Sequence, residues 1–374
     1  MCVLAARRRY DSRMPHPVLI SSWNGVPALD CTAAMLTKQV DPLDALVTGI
    51  QLVEDDPEEL SVGYGGLPNE DGEVELDAIV MHGPLHRSAA VAGVRRVRHV
   101  ARLALEVLRR TDHSLIVGEG ANKFARALGF VEENLLTDKS RKAWLDWKAS
   151  LSTRDAWLSA AEWAGEKGAS GDAARSGFGQ ALWAGNVDPA ANQAVPTPTS
   201  ALQPPHSPKP NDSRTASPIP HTYGTIHTSL LLAPGSDLYG CTSTSGLSYK
   251  LAGRVGDTAC VGAGCYTDNA IGSAGATGRG EAVMQSCGAF AIVDAMAAGL
   301  SPTDACLKVL KRIADHTKEK RLLDEKGRPG FNVTLYAVRK DGQYGCASMH
   351  EGYEFAVHSE GKTRLERAAF LFGK

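Results

Sequence analysis

One stretch of this chain, residues 224–281, constrains it most: it sets a single threonine, Thr225, between a proline-rich segment and a block of small residues with few charges. Nine of the nineteen prolines fall within residues 189–220, which is the composition of an exposed linker and not of a core element. The chain then passes at once into the β-prone run TIHTSLLL. Thr225 therefore reads as a second beginning of the polypeptide.

A threonine becomes a strong nucleophile when it is the first residue of a chain, because its α-amine, with an ordinary pKa of roughly 7.7–8.0, can take the hydroxyl proton at neutral pH. The same hydroxyl can create that terminus. It attacks the preceding carbonyl, passes the upstream chain to oxygen as an ester, and water completes the cut between Gly224 and Thr225. A glycine at 224 is expected to let that peptide take the strained conformation the attack needs.

The neighbours of Thr225 give this reading its weight. STSG at 243–246 with Thr242 before it, GRVGD at 253–257, GAG at 262–264 and ATGRGE at 276–281 follow it, while SSWN at 21–24, VEDDP at 53–57, SVGYGG at 61–66 and LDA at 76–78 precede it. In these segments and their order the chain resembles the glycosylasparaginase (aspartylglucosaminidase) family of N-terminal-nucleophile hydrolases, over residues 18–140 and 221–372. The resemblance implies an α+β fold, a four-layer αββα sandwich, and one composite domain cut into residues 1–224, with a core at 18–140, and residues 225–374. The middle segment has no counterpart in the family: tryptophan spacing predicts a helical segment at 141–185, and composition predicts a disordered proline-rich linker at 186–220 ahead of the nucleophile.

Carried over residue by residue, the resemblance makes Thr225 the nucleophile and its freed amine the base. Thr244 holds both in place. The hydroxyl of Thr277 and the N–H of Gly278 form the oxyanion hole, Arg254 clamps the substrate α-carboxylate, Asp257 takes the α-ammonium, and Trp23 lines the pocket near the scissile amide. The implied substrate is a glycoasparagine with free α-amino and α-carboxyl groups. A plant-type asparaginase or β-aspartyl peptidase is the second enzyme reading, and an uncut ligand-binding chain the third. No cofactor or metal is implied, and the cut chains are expected to assemble as an (αβ)2 heterotetramer.

Two positions depart from the family pattern. Glycosylasparaginases usually carry Asp before the nucleophile, where this chain has Gly224, the residue found in the plant-type branch. They usually carry glycine two residues after it, where this chain has His227, whose imidazole is expected to crowd the site.

Composition excludes some partners. A net charge of −2 offers no electrostatic reason to expect nucleic acid or an acidic membrane. The eight cysteines are scattered singly without metal spacing and read as structural thiols. No apolar run approaches the roughly 20 residues of a membrane span, and residues 1–22 lack a secretory core, whereas animal members of the resembled family are lysosomal; either the protein stays in a reducing interior or this start is not the natural one.

Periodicity predicts strands at 19–23, 73–81, 114–117, 225–232, 238–244, 332–339, 344–349 and 353–358, and helices at 41–54, 100–110, 118–129 and 281–298. A further helix starts at Ser301, capped by its hydroxyl. The arginines at 95, 96, 98 and 102 read as a solvated helix face, and the glycines at 118 and 120 as an incomplete dinucleotide fingerprint. Five of the six tryptophans, at 144–183, suggest short helices packed on the body.

Overall fold

A computed structural model describes residues 16–149 and 224–373, which belong to one compact unit. The linker and most of the tryptophan-rich segment lie outside the described residues, and with them the expectations of disorder and of packing beyond residue 149.

The first half supplies β1 (Val18–Ser22), α1 (Val26–Thr37), α2 (Pro42–Glu54), β2 (Glu75–His82), β3 (Arg87–Arg95), α3 (Val100–Arg110), β4 (Leu115–Val117), α4 (Gly118–Ala127) and α5 (Asp138–Ala149). The second half supplies β5 (Ile226–Leu231), β6 (Leu238–Thr244), β7 (Cys265–Asp268), β8 (Gly272–Gly278), α6 (Gly280–Gln285), α7 (Gly288–Ala297), α8 (Pro302–His316), β9 (Val333–Arg339), β10 (Tyr344–His350), β11 (Glu354–Ser359), β12 (Lys362–Arg367) and β13 (Ala369–Phe372). The strands form two sheets. One runs β12-β11-β1-β5-β6-β2-β3-β4 and the other β13-β10-β9-β8-β7. β5 lies between β1 and β6, so the strand that follows the linker is central to the larger sheet.

Two cores hold helices onto sheet faces. Leu29, Leu46, Ile50, Leu103 and Leu105 of α1, α2 and α3 meet Leu19, Leu76, Ile226 and Leu230 of the larger sheet. Ile292, Val309 and Leu310 of α7 and α8 meet Ala274, Ala276, Val333 and Leu335 of the smaller one. Alternation along the strands turns the complementary set elsewhere: Ile20, Leu231 and Leu238 of the first sheet cluster with Tyr336 and Val338 of the second.

Local signals explain most of these elements. Asp41 caps α2 by accepting the N–H groups of Leu43 and Asp44, and Ser301 caps α8 by accepting that of Asp304. The predicted single helix at 281–298 is two helices. Cys287, in the left-handed region at φ 47°, breaks it between α6 and α7. The pattern after Thr225 also hides two strands, β7 and β8, because glycine, alanine, serine and threonine make β8 almost featureless by hydropathy. The arginines do not share a helix face: Arg95 ends β3, Arg96 and Arg98 lie between β3 and α3, and only Arg102 is on α3. Arg95 pairs with Glu75, Arg98 with Glu133 and Asp55, and Arg102 with Asp44. Trp144 donates to the Glu70 carbonyl at 3.2 Å and Trp147 stacks on Tyr249 at 4.6 Å, as expected of a helix packed on the body. All the cysteines among the described residues are free thiols.

The α8 cap offers a test of local stability. Ser301→Ala should cost about 1 kcal/mol and Ser301→Gly only a few tenths, read as a lower urea midpoint at unchanged slope; equal effects would show that the cap contributes nothing.

Candidate active site

β5 and β6 pair antiparallel with Ile226 opposite Ser243, so the next step outward brings Thr225 and Thr244 face to face. Their hydroxyls lie 3.1 Å apart. The chain is uncut here, and the Thr225 nitrogen is still an amide. Thr225 Oγ1 donates to the Gly224 carbonyl at 2.7 Å and Thr244 Oγ1 lies within donating distance of the same oxygen at 3.0 Å, while the Gly246 N–H donates to Thr244 Oγ1 at 2.9 Å. Two hydroxyls thus converge on the carbonyl that self-cleavage would attack.

Gly224 is required for room. A Cβ there would lie 1.7 Å from Ser61 Oγ, and its φ lies outside the left-handed region, so left-handed strain plays no part in the choice of glycine. Ser61, held by a hydrogen bond from its hydroxyl to Glu59, fills that side-chain position.

Gly224, Thr225, Thr244, Arg254, Asp257 and Gly278 all line one pocket. β8 ends at Gly278 with φ at +111°, where a Cβ would meet the Asn332 carbonyl at 2.4 Å. Only glycine gives that amide its direction. Thr277, just inside, is buried and does not itself line this pocket, and its hydroxyl lies 2.9 Å from the Tyr336 hydroxyl.

The loop after β6 brings the charges. Arg254 donates through Nε and Nη2 to Glu281 Oε1 at 2.9 and 2.7 Å. Burial works to raise the Glu281 carboxyl, but Arg254 outweighs it and holds the group below its ordinary range. Asp257 is different: burial pushes it up to about 7, only partly offset by a backbone N–H and Arg254. Its Oδ2 is buried without a hydrogen-bond partner, as is the Thr258 hydroxyl. A buried carboxylate oxygen without a donor, in a pocket wall, is a place for a cationic group.

Behind this wall sits a second tier that sequence reasoning missed. Lys250 is 1% exposed, its Nζ donates to the Glu75 carbonyl at 3.3 Å, and burial lowers its pKa against the pull of Asp77 and Glu75. A Cβ on Gly246 would lie 2.9 Å from Lys250 Nζ and 3.5 Å from Arg254 Nη1, so the two cations flank the same turn. Asp77, opposite Thr244 in the sheet, is fully buried and raised by that burial. A lone lysine four residues before Arg254 in a glycine-rich stretch was the available signal.

Two expected residues are placed elsewhere. Trp23 follows β1 at the sheet end that carries Thr225, but it is 59% exposed and does not line this pocket. His227 does not crowd the site. Its ring is fully buried one alternation further along β5, bonded to Thr242 and Ser229 at 2.8 Å each, and burial alone lowers its pKa to about 3. Among the described residues no group of histidines, cysteines and carboxylates could hold a metal ion.

A threonine hydroxyl aimed at a peptide carbonyl, beside a pocket with one arginine and one carboxylate oxygen without a partner, is equipment for splitting an amide of an amino-acid-like molecule. The chain belongs to the asparaginase family, which it matches over residues 23–361. It is 32% identical to the N(4)-(beta-N-acetylglucosaminyl)-L-asparaginase of Elizabethkingia miricola, with 98% of this chain and 90% of that protein covered. It is 30% identical to the mouse protein of the same name, over 89% of this chain and 84% of that one. A putative N(4)-(beta-N-acetylglucosaminyl)-L-asparaginase of Drosophila yakuba is 32% identical, over 96% and 83%.

If Asp257 must be ionised to take an ammonium group, substrate binding weakens as pH falls. Its raised pKa sets the window: the carboxylate persists above about 7 and is lost below it. KM should rise by about tenfold per unit well below that value, measured as KM against pH, and Asp257→Asn should flatten the profile. A KM unchanged down to pH 5 would remove Asp257 from binding.

Proposed function

We propose that this chain cuts itself between Gly224 and Thr225 and then hydrolyses the amide that joins N-acetylglucosamine to asparagine, releasing aspartate and the amino sugar. The observation that carries the reading is the convergence of the Thr225 and Thr244 hydroxyls on the Gly224 carbonyl, inside a pocket that also holds Arg254, Asp257 and Gly278. The names of the relatives support the substrate class.

In the first reaction Thr225 Oγ attacks the Gly224 carbonyl carbon, the C–N bond breaks as its nitrogen takes a proton, and water splits the resulting ester. Residues 1–224 leave with a new carboxylate, and residues 225–374 begin with a free amine. That amine then accepts the Thr225 hydroxyl proton for each turnover. Oγ adds to the substrate amide, the oxyanion is held by the Thr277 hydroxyl and the Gly278 N–H, and the sugar amine departs protonated. Water hydrolyses the aspartyl ester. Thr244 orients the nucleophile throughout.

Arg254 exchanges part of its bond to Glu281 for the substrate α-carboxylate, and Asp257 takes the α-ammonium. The exposed ring of Trp23, at the same end of the sheet, offers the sugar an apolar face. The two sheets with their outer helices stack as a four-layer αββα sandwich, the linker is dispensable to it, and the cut chains pair as an (αβ)2 heterotetramer. A second reading, hydrolysis of asparagine or β-aspartyl dipeptides, is favoured by Gly224 at the junction.

Intact mass under denaturing conditions tests the first step. Two pieces, the second beginning at Thr225, are expected for the parent and a single chain for Thr225→Ala. A parent that stays whole would leave an uncut ligand-binding protein. Turnover of glycoasparagine against β-aspartyl dipeptides then separates the two enzyme readings. Arg254→Ala should mainly raise KM, by roughly 1.5–3 kcal/mol of lost charge-assisted binding. Thr277→Val should instead lower kcat by roughly 10²–10³. The opposite division would exchange their roles.

A further inference from the structure

We propose that the Tyr336 hydroxyl is a positioning group for the oxyanion site, donating to Thr277 Oγ1 so that the threonine's own proton points into the pocket, and that the His227 ring is the platform that holds the phenol there. The inference rests on the reading of Thr277 as an oxyanion donor and adds to it the group that aims it.

Tyr336 is 1% exposed in the middle of β9, and Gly275 of β8 is its direct cross-strand partner. Thr277, two residues further along β8, is therefore the diagonal neighbour, within reach of an aromatic side chain. The hydroxyls meet at 2.9 Å. A hydroxyl has one proton and two lone pairs, so a threonine that gave its proton to Tyr336 would have none for an oxyanion. Burial keeps the phenol protonated, and its second partner is the Thr334 hydroxyl, which itself accepts from Asn332 Nδ2 at 3.0 Å, so Tyr336 can accept from Thr334 and donate to Thr277.

The phenol ring is held from below. It stacks on the His227 imidazole with centroids 6.0 Å apart and planes at 22°. That imidazole fills space left by Gly275, whose Cβ would lie 2.1 Å from the ring. Both ring nitrogens are bonded, to Thr242 and Ser229, and Ser229 continues through Ser273 to Thr267 in 2.8 Å steps. The platform is thus pinned to both sheets. It connects β5, the strand that begins beside the nucleophile, to β8, the strand that ends at Gly278.

Self-cleavage provides the contrast. The Gly224 carbonyl is held by the hydroxyls of Thr225 and Thr244, whereas the phenol bonds to Thr277. Loss of the phenol should therefore damage turnover and spare processing, a split that general loosening of the fold would not produce.

The experiment uses the full chain allowed to process, with glycoasparagine as substrate. Tyr336→Phe keeps the ring and removes the hydroxyl: processing should run at the parent rate, KM should stay within about twofold, and kcat should fall roughly tenfold to a hundredfold, less than for outright loss of an oxyanion donor. Thr277→Val combined with Tyr336→Phe should be no slower than Thr277→Val alone. An unchanged or raised kcat for Tyr336→Phe, or additive losses in the double variant, would overturn the proposal. If Thr277→Val keeps its kcat, the oxyanion reading itself fails. Should Tyr336→Phe not fold, 3-fluorotyrosine placed at 336 keeps shape and hydroxyl while strengthening the donor. A shifted kcat then supports the assignment, and an unshifted one overturns it.

Discussion

The antiparallel register of β5 on β6 is the constraint on which the site depends. Because Ile226 faces Ser243, Thr225 can only face Thr244, and the carbonyl before Thr225 is delivered to both hydroxyls. A slip of one residue would turn Thr225 toward the α1–α3 core and Ile226 away from it. Burial of Ile226 and Leu230 against that core prevents the slip. Burial of two large side chains at roughly 1.5–3 kcal/mol each is a strong penalty against misregister. The hydrophobic pattern of the strand therefore sets the geometry of the chemistry at its end.

The second constraint is electrostatic. Lys250, Arg254, Asp77 and Asp257 share a poorly solvated region behind and within one pocket wall, and their charges are neither fully paired nor fully hydrated. Burying such groups opposes folding, and sites for charged ligands are where proteins tolerate that cost. On the proposed reading, a zwitterionic α-amino acid end would meet it with the complementary pair, carboxylate at Arg254 and ammonium at Asp257.

How much was legible in the sequence depended on whether the signal was local. Asp41 before α2, Ser301 before α8 and the alternating β5, β6 and β9 are read from neighbours in the chain, and the structure agrees with them. β8 was missed because its glycines, alanines and serines leave no hydropathic period. Those small residues have a function that no local rule reports: Gly275 admits His227, and Gly278 turns its amide past Asn332. Thr225, Thr244, Arg254, Asp257 and Gly278 were found through motif resemblance, and they do come together. Trp23 was carried over from the same resemblance and His227 was read from its distance after the nucleophile, and neither signal fixes how far a ring turns outward or which gap it fills.

His227 illustrates the last point. An imidazole two residues after a nucleophile is on the same side of its strand, yet a step of two residues is about 6.5 Å, enough to move it from the pocket into the layer between the sheets. There its neutral form is the only one tolerated, since it has two hydroxyl partners and no carboxylate among the causes that shift it. It cannot act as a base at neutral pH. With the imidazole excluded, the freed amine of Thr225 remains the proposed base, and on that reading the site would turn over an external amide only once its own peptide bond is cut. Processing and catalysis would then be one constraint: the group that makes the hydroxyl reactive would be produced only when the chain breaks.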